Sequence, residues 1–115
     1  MKHEMKLYPE PFQMIADGRK TIELRLYDEK RKKIKAGDEI QFICTEPPHK
    51  TLNATVVGLY RYHSFEELYN NLDLMNCGYT EKDIDSANPE DMNVYYSQEQ
   101  QKKYGVVGIE LRVTG

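Results

Sequence analysis

The chain has no tryptophan, two cysteines and three histidines, and each shortage removes a class of function. Cys44 and Cys77 stand alone without Cys-x-x-Cys spacing, so they read as reduced packing thiols rather than a disulfide or a zinc site. His3, His49 and His63 share no repeating spacing, so no metal site is implied. Nor is a cofactor: Gly105-Val106-Val107-Gly108 lacks the lysine and following helix of a phosphate-cradling loop and reads as strand glycines that permit close packing. No apolar run approaches the roughly 18 residues needed to cross a bilayer. Met1-Lys2-His3-Glu4-Met5-Lys6 lacks the apolar stretch of a secretory signal. A cytoplasmic protein with no membrane contact is expected, and the absence of repeats and low-complexity tracts excludes solenoids and disordered tails.

What remains is a composition of 39% hydrophobic and 30% charged residues over 115 positions, which fits one domain, residues 1–115, able to bury its own core. The net charge of −3 argues against a protein that coats duplex nucleic acid. Its distribution is uneven. Half of the sixteen basic residues fall between Arg19 and Lys35, whereas Glu66, Glu67, Asp73, Glu81, Asp83, Asp85, Glu90 and Asp91 are opposed only by Lys82. Such polarity favours a nucleotide or a short single strand over a long polyanion. For Lys30, Arg31 and Lys32 a solvated turn before the next strand is the preferred reading of the charge.

The segment Gly18-Arg19-Lys20-Thr21-Ile22-Glu23-Leu24-Arg25 carries the most information. Gly18 follows an amphipathic stretch and can take the left-handed conformation that ends a helix. Beyond it the residues alternate as in a strand: Ile22, Leu24 and Leu26 toward a core, with Thr21, Glu23, Arg25 and Tyr27 on the other face. Lys20 has a stem long enough to reach that polar face. Lys20 and Glu23 have the chemistry of a general acid or nucleophile and a general base, and equally that of a static ion pair. Arg25 can offer its fork to a phosphate or base edge, or to Glu23 itself.

The pattern Gly-x-Lys-x-x-Glu-x-Arg, met by Gly18, Lys20, Glu23 and Arg25, resembles the signature of the ASCH domain. Ile34-Lys35-Ala36-Gly37-Asp38-Glu39-Ile40-Gln41-Phe42 is similar to the family's lysine, glycine, aspartate and strand step, and Tyr104-Gly105-Val106-Val107-Gly108-Ile109-Glu110-Leu111 to its closing strand. The resemblance implies an α+β fold, a small PUA-like mixed β-barrel with flanking helices. It also implies binding of single-stranded RNA, a nucleotide or a nucleoside beside the motif strand. Some members of the superfamily are amidohydrolases acting on N4-acetylcytidine, in which the motif lysine, matching Lys20, works with a threonine three residues later and a more distant glutamate. Here Glu23 stands in place of that threonine, so the mechanism does not carry over intact. Thr21 is a substitute hydroxyl, and Glu66 or Glu67 a substitute carboxylate.

The remaining elements follow from periodicity and punctuation. Strands are expected over Met5–Tyr8, Glu39–Thr45, Leu52–His63 and Val106–Val113, and a helix over Glu10–Asp17. Two prolines make Glu46–Lys50 a loop. Ser64-Phe65-Glu66-Glu67 matches a capping box before a helix carrying Phe65, Leu68, Tyr69 and Leu72. Thr80-Glu81-Lys82-Asp83 reads as a second helix start, Asn88-Pro89 as its break, and Ser97–Lys103 as a polar helix with an exposed Glu99–Lys103 pair. Among nine tyrosines, Tyr96 and Tyr104 bracket that helix and are the candidates for stacking on a base. Tyr60, Tyr69 and Tyr79 are expected to pack their rings and leave their hydroxyls in water. The candidate ligand-binding set is thus Lys20, Thr21, Glu23, Arg25, Tyr96 and Tyr104.

Overall fold

A computed structural model describes residues 1–115. The first strand, β1 (Lys2–Leu7), alternates exposed and buried positions, with His3, Met5 and Leu7 turned inward. Helix α1 (Pro9–Ala16) starts on a proline, whose missing N–H costs nothing at that position, and buries Phe12, Met14 and Ile15. Gly18, at φ 84°, ends it as the sequence predicts, and its N–H donates to the Ile15 carbonyl at 3.2 Å.

The motif strand β2 (Ile22–Leu26) is buried on both faces, and this differs from the half-exposed ribbon expected from its alternation. Ile22, Leu24 and Leu26 pack on one side, while Glu23 on the other is only 4% exposed. Three further strands, β3 (Glu39–Cys44), β4 (Thr51–Tyr62) and β5 (Val106–Val113), complete a five-stranded sheet of order β1-β3-β4-β5-β2. Only β1 and β3 are parallel. A bulge between Val56 and Gly58 bends the twelve-residue β4, so that its first half serves the core under β1 and β3 and its end reaches the core under β2. The sheet curls into a half-barrel. Its free edges, β1 and β2, approach closely enough for Arg25 Nη2 to donate to the Lys6 carbonyl at 2.8 Å.

The second half of the chain covers β2. Helix α2 (Phe65–Asn71) buries Phe65, Leu68 and Tyr69. The Ser64 hydroxyl accepts from the Glu67 N–H at 3.1 Å, but the return bond expected of a full capping box is absent. Gly108 explains how tightly this layer sits: a Cβ there would lie 2.9 Å from Leu72 Cδ1 and 3.1 Å from Ile22 Cγ2. The Asn76 carbonyl accepts from both Thr21 and Ile22 N–H at 2.9 Å, pinning the acidic segment to the start of β2. Thr80–Asp83 forms a turn that runs into a 3₁₀ helix over Ile84–Ser86 instead of starting an α-helix, although the Asp83 carboxylate takes the Thr80 N–H at 2.6 Å as in a helix cap. A 3₁₀ helix over Pro89–Val94 carries a reciprocal cap between Asn88 and Asp91. Helix α3 (Gln98–Tyr104) is capped by Ser97 with Gln100 and leads into β5 through Gly105. The expected Glu99–Lys103 pair does not form; Lys103 Nζ lies 5.1 Å from the centre of the Tyr104 ring.

Candidate functional site

The turn that ends α1 aims the motif lysine. The Lys20 N–H donates back to the Met14 carbonyl at 3.0 Å, and its side chain runs over Gly78, where a Cβ would come within 3.3 Å of Lys20 Cδ. Gly78 has φ 110°, so it supplies both a backbone shape that other residues resist and the space for that stem. Lys20 Nζ then meets Glu23 Oε1 at 2.8 Å. The other carboxylate oxygen, Oε2, is gripped by Arg25 Nε and Nη2, both at 2.8 Å.

Burial acts most strongly on Glu23 and favours its neutral form, but the adjacent Lys20 and Arg25 charges and their hydrogen bonds outweigh it and hold the pKa below the ordinary glutamate value. Burial likewise works against the Arg25 charge, and Glu23 overcomes it, raising the guanidinium above its ordinary value. Two cations thus share one buried anion.

This cluster floors a cavity of about 390 Å³ that opens between the two free sheet edges. Leu7, Tyr8, Pro11 and Met14 line one side, from β1 and α1. The facing side is aromatic, with Tyr69, Tyr79, Tyr95 and Tyr96. The Tyr96 ring stacks on Phe65, with centroids 6.2 Å apart and planes 17° from parallel, so it is held rather than free to swing. Tyr69 and Tyr79 meet edge to face, their hydroxyls are 2.7 Å apart, and Tyr79 donates to Asp91 Oδ2 at 2.7 Å. Burial, then these bonds, pushes the Tyr79 hydroxyl above its ordinary pKa, so it serves as a hydrogen-bonding group and not as a base. Burial raises the Cys77 thiol to about 11, leaving it protonated and unreactive at neutral pH. No group of three or more His, Cys, Asp or Glu side chains converges to hold a metal ion.

Of the residues singled out from sequence, Lys20, Glu23, Arg25 and Tyr96 line this cavity, and Thr21 and Tyr104 do not. Thr21 is occupied as backbone: its N–H goes to Asn76 and its carbonyl accepts from Leu111 at 2.8 Å. Tyr104 packs against the core beneath β2 at the end of α3. Glu66 and Glu67 are exposed on the first turn of α2 and contribute no carboxylate; the acidic groups present are Glu10, Glu23, Asp83 and Asp91. Tyr69 and Tyr79, read as packing residues, have their hydroxyls bonded within the protein. Asn88-Pro89-Glu90-Asp91 was a legible cap signal that would have located Asp91, whereas nothing local brings Tyr69 to Tyr79.

The curled mixed half-barrel with flanking helices is the PUA-like fold. Within it the chain belongs to the ASCH family: the model of the ASCH domain matches residues 5–114. The crystal structure of hypothetical protein PH0355 is similar over 99% of this chain and 100% of that one, at 37% identity and a TM-score of 0.80. The solution structure of protein PF0455 from Pyrococcus furiosus is 38% identical, with a TM-score of 0.74 over 98% of this chain and 97% of that one. The ASCH crystal structure from Zymomonas mobilis shares the fold at 17% identity, with a TM-score of 0.64 over 95% of this chain and 65% of that one. No curated protein matches the chain.

Proposed function

We propose that the protein, acting as one domain over residues 1–115, binds single-stranded RNA or a nucleotide-like ligand by seating one base in the cavity beside Lys20, Glu23 and Arg25. The observation that carries this reading is a fixed aromatic wall facing a buried floor of mixed charge. Lys6, Lys20 and Arg25 are offset by Glu10, Glu23, Asp83 and Asp91, so the hollow suits an uncharged ring with donors and acceptors on its rim better than a bare anion. A volume of about 390 Å³ is at the small end of ligand sites, which run from roughly 300 to 1,000 Å³, and has room for one nucleoside. Stacking on one tyrosine contributes about 1–3 kcal/mol.

The test is calorimetric titration with the four ribonucleosides and with short single-stranded RNAs. Saturable binding is expected, weakened about ten- to a hundredfold by Tyr96→Leu, as loss of one stacking ring requires. Absence of saturable binding to every probe refutes the reading. Tyr96→Leu and Tyr79→Phe are preferred to Lys20→Ala and Arg25→Ala, which would strand a buried charge and confuse binding with folding.

The 2.8 Å contact between Lys20 Nζ and Glu23 favours a second reading, hydrolysis of N4-acetylcytidine or a related acylated nucleoside. In it, Glu23 takes a proton from water as the water oxygen bonds to the amide carbon; the C–N bond then breaks, and the amine leaves with a proton returned from Glu23 or Lys20. Glu23 between two cations is ionised but weakly basic, which places binding ahead of this chemistry. Incubation with N4-acetylcytidine across about pH 6–9 decides it: unchanged substrate removes the hydrolase.

A further inference from the structure

A second cavity, of about 300 Å³, adjoins the first, and Lys6 and Arg25 line both. Its character is different. Lys6, Arg25, Lys30 and Arg31 face it against a single carboxylate, Glu4, so the slight excess of carboxylates around the base cavity gives way to an excess of cations. Much of the rest of the basic stretch is already neutralised: Arg19 pairs with Asp17 at 2.9 Å and Lys32 with Glu29 at 3.3 Å. Lys6 and Lys30 have no carboxylate partner, and the hydrogen bonds of Arg25 use Nε and Nη2 while Nη1 makes none. Arg31 spends Nη1 on Asp28 at 3.0 Å, yet its Nε is buried and donates to nothing. A buried N–H without an acceptor is uncommon.

We infer that this second cavity is a phosphate subsite, placed so that a ligand with its base in the tyrosine-walled cavity lays an adjoining phosphate between Lys6, Arg25, Lys30 and Arg31. The inference deepens the proposed function and rests on it for the base. It specifies the ligand as a nucleotide or a nucleotide within a strand, in preference to a free nucleoside. Arg25 joins the two parts: one edge of its guanidinium holds Glu23 on the floor of the first cavity, and Nη1 is left to donate to a phosphate oxygen. Nη2 of Arg31 makes no hydrogen bond and is likewise left to donate to a phosphate oxygen.

The test uses the full chain with inorganic phosphate, the four ribonucleosides, and their 5′- and 3′-monophosphates, followed by backbone amide chemical shifts and calorimetry. Inorganic phosphate should shift the amides of Lys30, Arg31 and Ile43, and one of the two monophosphate series should bind about tenfold or more tighter than its nucleoside. Lys30→Glu should abolish both effects while the nucleoside binds as before, since Lys30 does not line the base cavity. Lys102→Glu, an equal change of charge on exposed α3 outside both cavities, should alter neither. Arg31→Gln should weaken the phosphate response as Lys30→Glu does, with its fold checked by circular dichroism because Asp28 Oδ2 loses its partner while Oδ1 keeps the backbone N–H of residue 31. Nucleosides that bind as tightly as their monophosphates, with no response to phosphate, would overturn the subsite and leave the base cavity standing. Phosphate bound in the groove without any nucleoside binding would support the subsite and overturn the base cavity instead. Equal loss in Lys30→Glu and Lys102→Glu would reduce the effect to net charge and overturn the subsite.

Discussion

Two carboxylates near the two ends of β1, Asp38 beside His3 and Glu23 near Lys6, are both held below their ordinary pKa, and by different means. Asp38 accepts from His3 Nε2 at 2.9 Å, from the Lys35 N–H at 3.0 Å and from the terminal amine at 3.4 Å. The His3 bond contributes most and brings its pKa to about 2. These partners belong to the turn that starts β3 and to the beginning of β1, and Asp38 lines neither cavity. Glu23 is instead held by two cationic side chains that themselves line the hollow. One acid knots a turn. The other organises charges at a surface a ligand can reach. A depressed carboxylate pKa therefore does not identify a site; what its partners face does.

The comparison breaks first at Glu23. Glu23→Gln leaves Lys20 and Arg25 buried without an anion, and a loss of about 3–5 kcal/mol in urea denaturation is expected. Arg25→Lys keeps the charge but forfeits the fork on Glu23 Oε2 and the bond to the Lys6 carbonyl, and should cost about 1.5–3 kcal/mol by the same measurement. Gly78→Ala should cost about 1–2 kcal/mol through its left-handed backbone. It should also weaken nucleoside binding, because the new methyl presses on the Lys20 stem; wild-type affinity in that variant would show that the stem yields freely.

The smallest effect sharpens the Asp38 side. Its folded pKa of about 2 lies below the ordinary 3.8, so the unfolded chain binds more protons between those values and stability rises with pH there. The contribution is present above the ordinary value and is lost as pH falls toward about 2. Asp38→Asn should flatten that part of the urea-midpoint profile and leave nucleoside affinity at pH 7 unchanged. Glu23 contributes in the same direction, being stabilising above the ordinary glutamate value and less so as pH falls below it.

Much of the fold was legible because its signals are local. The strand alternation, the Gly18 helix stop, the polar helix after Tyr96 and the closing strand each depend on neighbours in sequence, and the structure carries all of them. Lys20, Glu23 and Arg25 were legible as a unit for the same reason, lying within six residues on one turn and strand. The aromatic wall was not. Tyr69, Tyr79 and Asp91 meet through bonds spanning ten and twelve residues across irregular backbone, which no periodicity encodes. Glu23 also shows the limit of alternation, which says which side chains share a face and not whether that face is wet. The second half of the chain closes over it.

β1 and β2 succeed each other in sequence, yet the sheet order sends them to opposite margins, with one guanidinium hydrogen bond spanning the gap. Strands in a ladder keep their spacing because many bonds repeat it; between these two margins a single side-chain bond stands in for the ladder. The aperture is therefore the most easily dilated part of the barrel wall. Any guest that draws Arg25 away from the Lys6 carbonyl unfastens the rim through which it came.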